Sequence, residues 1–245
     1  MTTQPPPHNP RQHLSGGGLR RLFVPGALLF LLLLPASVWA VRLFVYNNAA
    51  VVEDGRVYRS SQMSGADIGQ AARHWKLASI LNLRGSHPGE AWYDEEIRAA
   101  KEAGIVHYDI AMSARSLPKP EQIQQLLDIL DKGPYPMLIH CKSGADRTGL
   151  ASTLYLVEVR RLPLDEASSE LTWKLGHLAI GRTKAMDDFL EFYAETGNGL
   201  SFRHWAETAY PLIYKQLAEQ NDPRIGKRNN ALLHETTDET HALAQ

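Results

Sequence analysis

Three short apolar runs, at residues 78–83, 105–112 and 136–140, alternate with two stretches whose apolar side chains recur at helical spacing. The first stretch, 90–102, is highly charged and stops at Gly104. The second begins at Pro118-Lys119-Pro120, aligns Ile123, Leu126, Leu127 and Leu130 on one face, and ends at Gly133-Pro134. Strand, helix, strand, helix, strand is a series that packs economically in one way, because each helix carries the chain back so that the next strand runs parallel to the last. The expected fold class is therefore α/β, with a central, mostly parallel sheet flanked by helices in three layers. Upstream, Val51-Val52 and Val57-Tyr58 flank an Asp54-Gly55 hairpin turn, and Ser64 caps a helix bearing Ile68, Ala71, Ala72 and Trp75 on one face. Beyond residue 140 the periodicity predicts helices over 147–161, 165–175 and 184–195. A last helix starts at Ser201, and Pro211 bends or restarts it.

The chain also carries an N-terminal segment of a different kind. Residues 1–21, with Pro5-Pro6-Pro7 and Gly16-Gly17-Gly18, read as a disordered cytoplasmic leader. Residues 22–41 form an uncharged run of about twenty residues, long enough at ~1.5 Å per residue to cross a bilayer. Arg11, Arg20 and Arg21 precede the run and Arg42 follows it, which by the positive-inside bias leaves the rest of the chain outside the cytoplasm. The run reads as a transmembrane helix or as a signal peptide, since Pro35 and Val38-Trp39-Ala40 also suit cleavage after Ala40. The expected location is accordingly a bacterial inner membrane with the rest of the chain on the periplasmic side, or the periplasm after cleavage. Residues 48–220 then form the folded domain and 221–245 a flexible tail.

Composition narrows the function. The 26 basic and 27 acidic side chains nearly cancel, which excludes a nucleic-acid binder that works by bulk charge. A single cysteine, Cys141, excludes an internal disulfide framework and a multi-cysteine zinc site, and the ten histidines show no metal-ligand spacing.

The chemistry concentrates where the third apolar run ends, in His140-Cys141-Lys142-Ser143-Gly144-Ala145-Asp146-Arg147-Thr148-Gly149. A strand feeding a glycine-containing loop into a helix N-terminus aims successive backbone N–H groups at one spot, and the helix dipole adds positive potential there. Such a nest binds an anion. A cysteine at its mouth has its thiolate favoured below the free value of about 8.5. Arg147 offers a planar fork to two phosphoryl oxygens, and the Thr148 hydroxyl is placed to donate to the Cys141 sulfur. Lys142, Ser143, Gly144, Ala145, Asp146 and Arg147 form the candidate substrate-binding loop. An inert buried cysteine and a sulfurtransferase loop, which is typically one residue shorter, are the competing readings.

His-Cys, five residues, then Arg-Thr on a strand, loop and helix resembles the signature of the cysteine-dependent protein tyrosine and dual-specificity phosphatase superfamily. Tyr58-Arg59-Ser60-Ser61-Gln62 and Ile80-Leu81-Asn82-Leu83-Arg84 resemble the opening segments of its compact atypical dual-specificity members. The resemblance implies a phosphatase-type domain, a nucleophilic Cys141, a phosphate-binding Arg147, a phosphocysteine intermediate, a His140 that tunes the loop, and no metal or other cofactor. Two residues compete for the general acid. Asp109 lies 32 residues before Cys141, a spacing similar to that of the family's acid loop, but it falls within a strand pattern. Asp146 lies inside the loop, as in the lipid-directed myotubularin-like branch, and Glu121 is a distant third. The expected substrate is a phosphorylated protein, with a phospholipid or inositol phosphate as the alternative suggested by Lys142 and the membrane segment. A noncatalytic phospholigand-binding module is the reading from a different class. Arg84, His87 and Arg115 are candidates for the site entrance, and Arg59 is expected in an ion pair or hydrogen bonds.

Overall fold

The computed structural model describes Ser37, Val41 and residues 47–226. The expected membrane or signal segment at 22–41 lies, those two residues apart, outside the described residues, as do the leader 1–21 and residues 227–245. Among the described residues no helix is long and apolar enough to cross a membrane.

A five-stranded sheet has the order β1-β2-β5-β3-β4, with β1 Ala50–Glu53, β2 Val57–Ser60, β3 Ser79–Asn82, β4 Val106–Asp109 and β5 Met137–His140. The Asp54-Gly55 turn makes β1 and β2 an antiparallel hairpin, and every other pairing is parallel. The last strand to form in sequence thus inserts at the centre, between β2 and β3. Register aligns Ser60, His140, Asn82 and Asp109 at one edge, the carboxyl ends of the four parallel strands. Ligands of open α/β sheets bind outside this edge, where the strand order reverses.

Alternation of side chains divides the core. Tyr58, Ile80 and Leu138 face α1 (Gly65–Trp75) and α2 (Ala91–Ala103), packing with Ile68, Ala71, Ala99 and Ala100. Val57, Leu81, Met137 and Ile139 face the other way, onto α3 (Pro120–Lys132) and α4 (Asp146–Glu158). Three layers result, and the alignment of Ile123, Leu126, Leu127 and Leu130 read from sequence is the buried face of α3. Ser64 caps α1 by accepting from Asp67 N–H, and Gly104 ends α2 in the left-handed region at φ +68°.

Three expectations change. The strand expected over 105–112 pairs only at Val106–Asp109, because Ile110 to Met112 turn away to follow the site. The helix expected over 165–175 is instead α5 (Leu164–Ala167) followed by two 3₁₀ turns, Ser168–Glu170 and Trp173–Leu175. Its interruption has a tertiary cause: Arg59 takes both the carbonyl and the carboxylate of Glu170, and Leu171 turns to pack over Gly149. As expected, the last helix restarts at Pro211, which has no N–H to continue the ladder, giving α7 (Phe202–Thr208) and α8 (Tyr210–Glu219). Residues 221–226, assigned to the tail, fold onto the domain: Leu117 N–H donates to Arg224 O at 2.7 Å and the Arg224 guanidinium stacks on Phe192.

The helix α6 (Ala185–Thr196) is pinned by an aromatic cluster in which Phe189 meets Tyr210 edge-on at 4.8 Å and also touches Phe202 and Trp205. Phe189 is fully buried, so Phe189→Ala leaves a cavity in this cluster. Chemical denaturation should show a stability loss of about 3–5 kcal/mol.

Candidate active site

Cys141 follows β5 directly and is 1% exposed, at the floor of a loop that ends in the first turn of α4. The loop's shape is set from outside. Gln62 N–H donates to Lys142 O, Asn48 Nδ2 to Ser143 O at 3.0 Å and Gly144 O at 3.2 Å, and Arg59 Nη2 to Gly144 O at 2.7 Å. A trans peptide sets its N–H opposite its C=O, so fastening these carbonyls outward turns the following N–H groups inward. Gly144, at φ +68°, makes the bend possible, and a Cβ there would sit 2.6 Å from the Ser60 and Ser61 backbone. The cradle is thus a nest of donors at the positive end of α4.

Two groups act on the Cys141 sulfur besides the backbone. Burial pushes the thiol up, but the Arg147 charge, a hydrogen bond from Thr148 and the N–H groups of Thr148 and Ser143 outweigh it and hold the thiol below its ordinary value. The Thr148 hydroxyl, itself buried, has no other partner among the described residues. Arg147 Nη1 donates to Leu83 O and Met112 O, each at 3.2 Å, while its buried Nε lacks a partner among the described residues. The guanidinium is therefore pre-set between the β3 end and the segment after β4, with donor capacity left for an anion.

Behind the loop, on the α1–α2 side, lies a second buried polar group. Glu96 of α2 accepts from His140 Nε2 at 2.9 Å, from His107 Nε2 at 2.7 Å and from Gln62 Nε2. Burial acts to raise the Glu96 pKa, yet the hydrogen bonds from His107, His140 and Gln62 prevail and hold the carboxyl well below the usual range. An ionised carboxylate only accepts, so both imidazoles present Nε2–H to it. His140 is thereby fixed one residue from Cys141. Gln62 also accepts from Arg84, whose guanidinium stacks 3.3 Å over Trp92.

The two candidate acids stand in different places. Asp109, at the end of β4, accepts from Asn82 Nδ2 at 2.7 Å and Tyr93 Oη at 2.6 Å, and His107 Nδ1 is 3.6 Å away. Both its oxygens are engaged inside the sheet edge. Asp146 lines the cavity of about 650 Å³ that opens over the loop, together with Gln62, Arg115, Lys142, Arg147 and Thr183. Its Oδ1 meets His177 Nδ1 at 2.8 Å. Glu121 is an exposed first-turn residue of α3 beside Lys119. Arg115 reaches the cavity wall, whereas His87 sits outside it, hydrogen-bonded to Arg84 O.

Arg59 and Glu170 form the expected ion pair, at 2.6 Å, with the Arg59 side chain fully buried. Three participants were not singled out from sequence: Asn48 as a loop fastener, Glu96 as the partner of His140, and His177 beside Asp146. No local spacing marks them, because each reaches the loop from an element distant in the chain.

Residues 44–161 match the tyrosine phosphatase family. Among solved structures, the chain is 23% identical to the core catalytic domain of the PP-IP phosphatase SIW14 from S. cerevisiae in complex with citrate, covering 71% of this chain and 93% of that one with a TM-score of 0.49. It is 16% identical to TpbA of P. aeruginosa, covering 60% of this chain and 84% of that one with a TM-score of 0.46. No curated protein matches the sequence.

Two outcomes follow from the loop geometry. Gly144→Ala combines left-handed strain with a backbone clash and should destabilise the fold by about 2–4 kcal/mol, measured by denaturant titration. Because Cys141 is the one cysteine, the ultraviolet thiolate signal, corrected with Cys141→Ser, reports it alone. A lowered pKa leaves the thiolate present as pH falls below the ordinary value of about 8.5, and Arg147→Ala should move its loss to higher pH.

Proposed function

From the match of residues 44–161 to the tyrosine phosphatase family, we propose that this chain is a phosphomonoester hydrolase that works through a phosphocysteine. The observation that carries the reading is the loop itself: a buried cysteine with lowered pKa beneath inward-facing N–H groups, with Arg147 braced beside it. The phosphoryl oxygens are received by those N–H groups and by Arg147. Cys141 Sγ attacks phosphorus in line, an S–P bond forms and the bond to the leaving oxygen breaks. Asp146, the carboxyl on the cavity wall, is the acid of this reading and donates its proton to the leaving oxygen. The resulting carboxylate then takes a proton from the water that attacks the phosphocysteine. The S–P bond breaks, phosphate leaves, and the Thr148 hydroxyl stabilises the departing thiolate. His140, held by Glu96, fixes the strand end from which the nucleophile projects.

The favoured substrate is a phosphorylated tyrosine, serine or threonine of a protein. A second reading, a phosphorylated inositol or lipid headgroup, has one observation in its favour: Lys142 and Arg115 stand with Arg147 on the cavity wall, three cationic side chains around one opening. A phosphotyrosine peptide and an inositol polyphosphate compared on the Lys142→Ala/Arg115→Ala pair separate the two. A drop of tenfold or more in kcat/KM on the inositol substrate alone supports the headgroup reading, and an equal effect on both leaves the protein substrate preferred.

For location, the reading is an outer-face domain held or delivered by residues 22–41, resting on the flanking arginines. An alkaline phosphatase fusion after Arg42 should be active. An inactive fusion with an active cytoplasmic reporter reverses that topology.

The test of the chemistry is hydrolysis of para-nitrophenyl phosphate and phenyl phosphate in the presence of a chelator. Cys141→Ser should abolish turnover of both, and Asp146→Asn should slow the phenyl ester by roughly a hundredfold while Asp109→Asn does not. A folded parent that binds vanadate without turning over would identify a phospholigand-binding module instead.

A further inference from the structure

After the 3₁₀ turn Trp173–Leu175, the chain passes across the mouth of the site, where Gly176 and Thr183 line the same cavity as Asp146. Between them lies His177, 3% exposed. Its Nδ1 is 2.8 Å from Asp146 Oδ1, at the start of α4, and its Nε2 is 2.9 Å from Asp187 Oδ2, in the first turn of α6. An imidazole that faces a carboxylate oxygen with each nitrogen donates from both only as the imidazolium. Burial works against that charge, but the two carboxylates prevail and raise the His177 pKa to about 9. These two acids, one from each of α4 and α6, are the charged groups that act most strongly on the ring. Lys184, close in sequence, is directed to Asp188 and Glu191 instead.

We propose that His177, itself anchored by Asp187, is a positioning residue that holds the Asp146 carboxyl by Oδ1 and leaves Oδ2 as the atom that exchanges a proton with substrate and water. The proposal rests on the reading of Asp146 as the acid. Asp146 sits in the first turn of α4, where its side chain has several staggered rotamers and only some face the cavity. A bond from a buried cation selects one of them. The charge has a second effect. When Oδ2–H passes to the leaving oxygen, the carboxylate that remains lies against an imidazolium and is stabilised as it forms. In the second step that carboxylate accepts the water proton on Oδ2 and the site is restored. His177 keeps its own proton throughout, so atoms and charge balance in each half of the cycle. Asp187 orients the ring from behind, as a third group orients the base in nucleophile and base pairs generally.

Leaving-group dependence is the diagnostic, because an acid matters for a poor leaving group and little for a good one. The full chain is compared with His177→Gln, Asp187→Asn and Asp146→Asn on phenyl phosphate and on 2,4-dinitrophenyl phosphate. His177→Gln should lose about tenfold or more in kcat on the phenyl ester and less than twofold on the dinitrophenyl ester, with vanadate affinity retained. A purely structural role would lower both esters together, and that result overturns the proposal. Should His177→Gln not fold, Asp187→Asn, at a more exposed position, carries the same comparison with the same two outcomes. If Asp146→Asn itself shows no leaving-group dependence, the acid assignment fails and this proposal with it. If Asp146→Asn shows it and neither His177→Gln nor Asp187→Asn does, only the positioning role is lost.

Discussion

Burying the Arg59 guanidinium would cost several kcal/mol if it lacked partners, and the chain supplies them from two distant places. Glu170 offers its carboxylate and its carbonyl, and the loop offers the carbonyls of Gly144 and Ala145. Satisfying one buried cation therefore ties β2, the loop after β5 and the 3₁₀ turn at Ser168–Glu170 into a single unit. The inward turn of the loop N–H groups is a consequence of where those carbonyls are held. Asn48 repeats the device, joining Ser143 and Gly144 to Leu175. The anion cradle is thus set before any ligand arrives, which is the condition for electrostatic stabilisation to cost no reorganisation.

A second buried charge organises the opposite side. Glu96 gathers His140, His107 and Gln62, and Gln62 in turn holds Arg84, so the ends of β3, β4 and β5 are linked through α2. Asp109 belongs to this framework, with both oxygens engaged by Asn82 and Tyr93. Asp146 belongs to the cavity. Two carboxylates equally plausible by residue type are separated by their surroundings: one is fastened within a sheet edge and the other stands on the wall of an opening.

Much of this was legible in the residues. The alternation of apolar runs and amphipathic stretches predicts the parallel sheet and the buried face of α3, because burial imposes periods of about 2 and 3.6 on strands and helices. The loop after residue 140 announces itself through glycine, cysteine and arginine at short range, since all of its parts lie within ten residues of chain. Arg59 was legible as a paired cation but not as the fastener of a specific loop. The failure at 165–175 is instructive in the same way. Local propensity favours a continuous helix there, and the pull of Arg59 on Glu170 overrides it.

By itself the sequence determined the order of elements, the loop that carries Cys141 and the donors an anion would meet there, because these are properties of neighbouring residues. Only the tertiary structure decided which carboxylate faces the cavity, that Glu96 lies beneath His140, and that His177 stands between Asp146 and Asp187. Those relations join residues 10 to 44 positions apart, and nothing in local spacing encodes them. They arise when β5 inserts between β2 and β3, and the segments that follow it fold back over the carboxyl edge of the sheet.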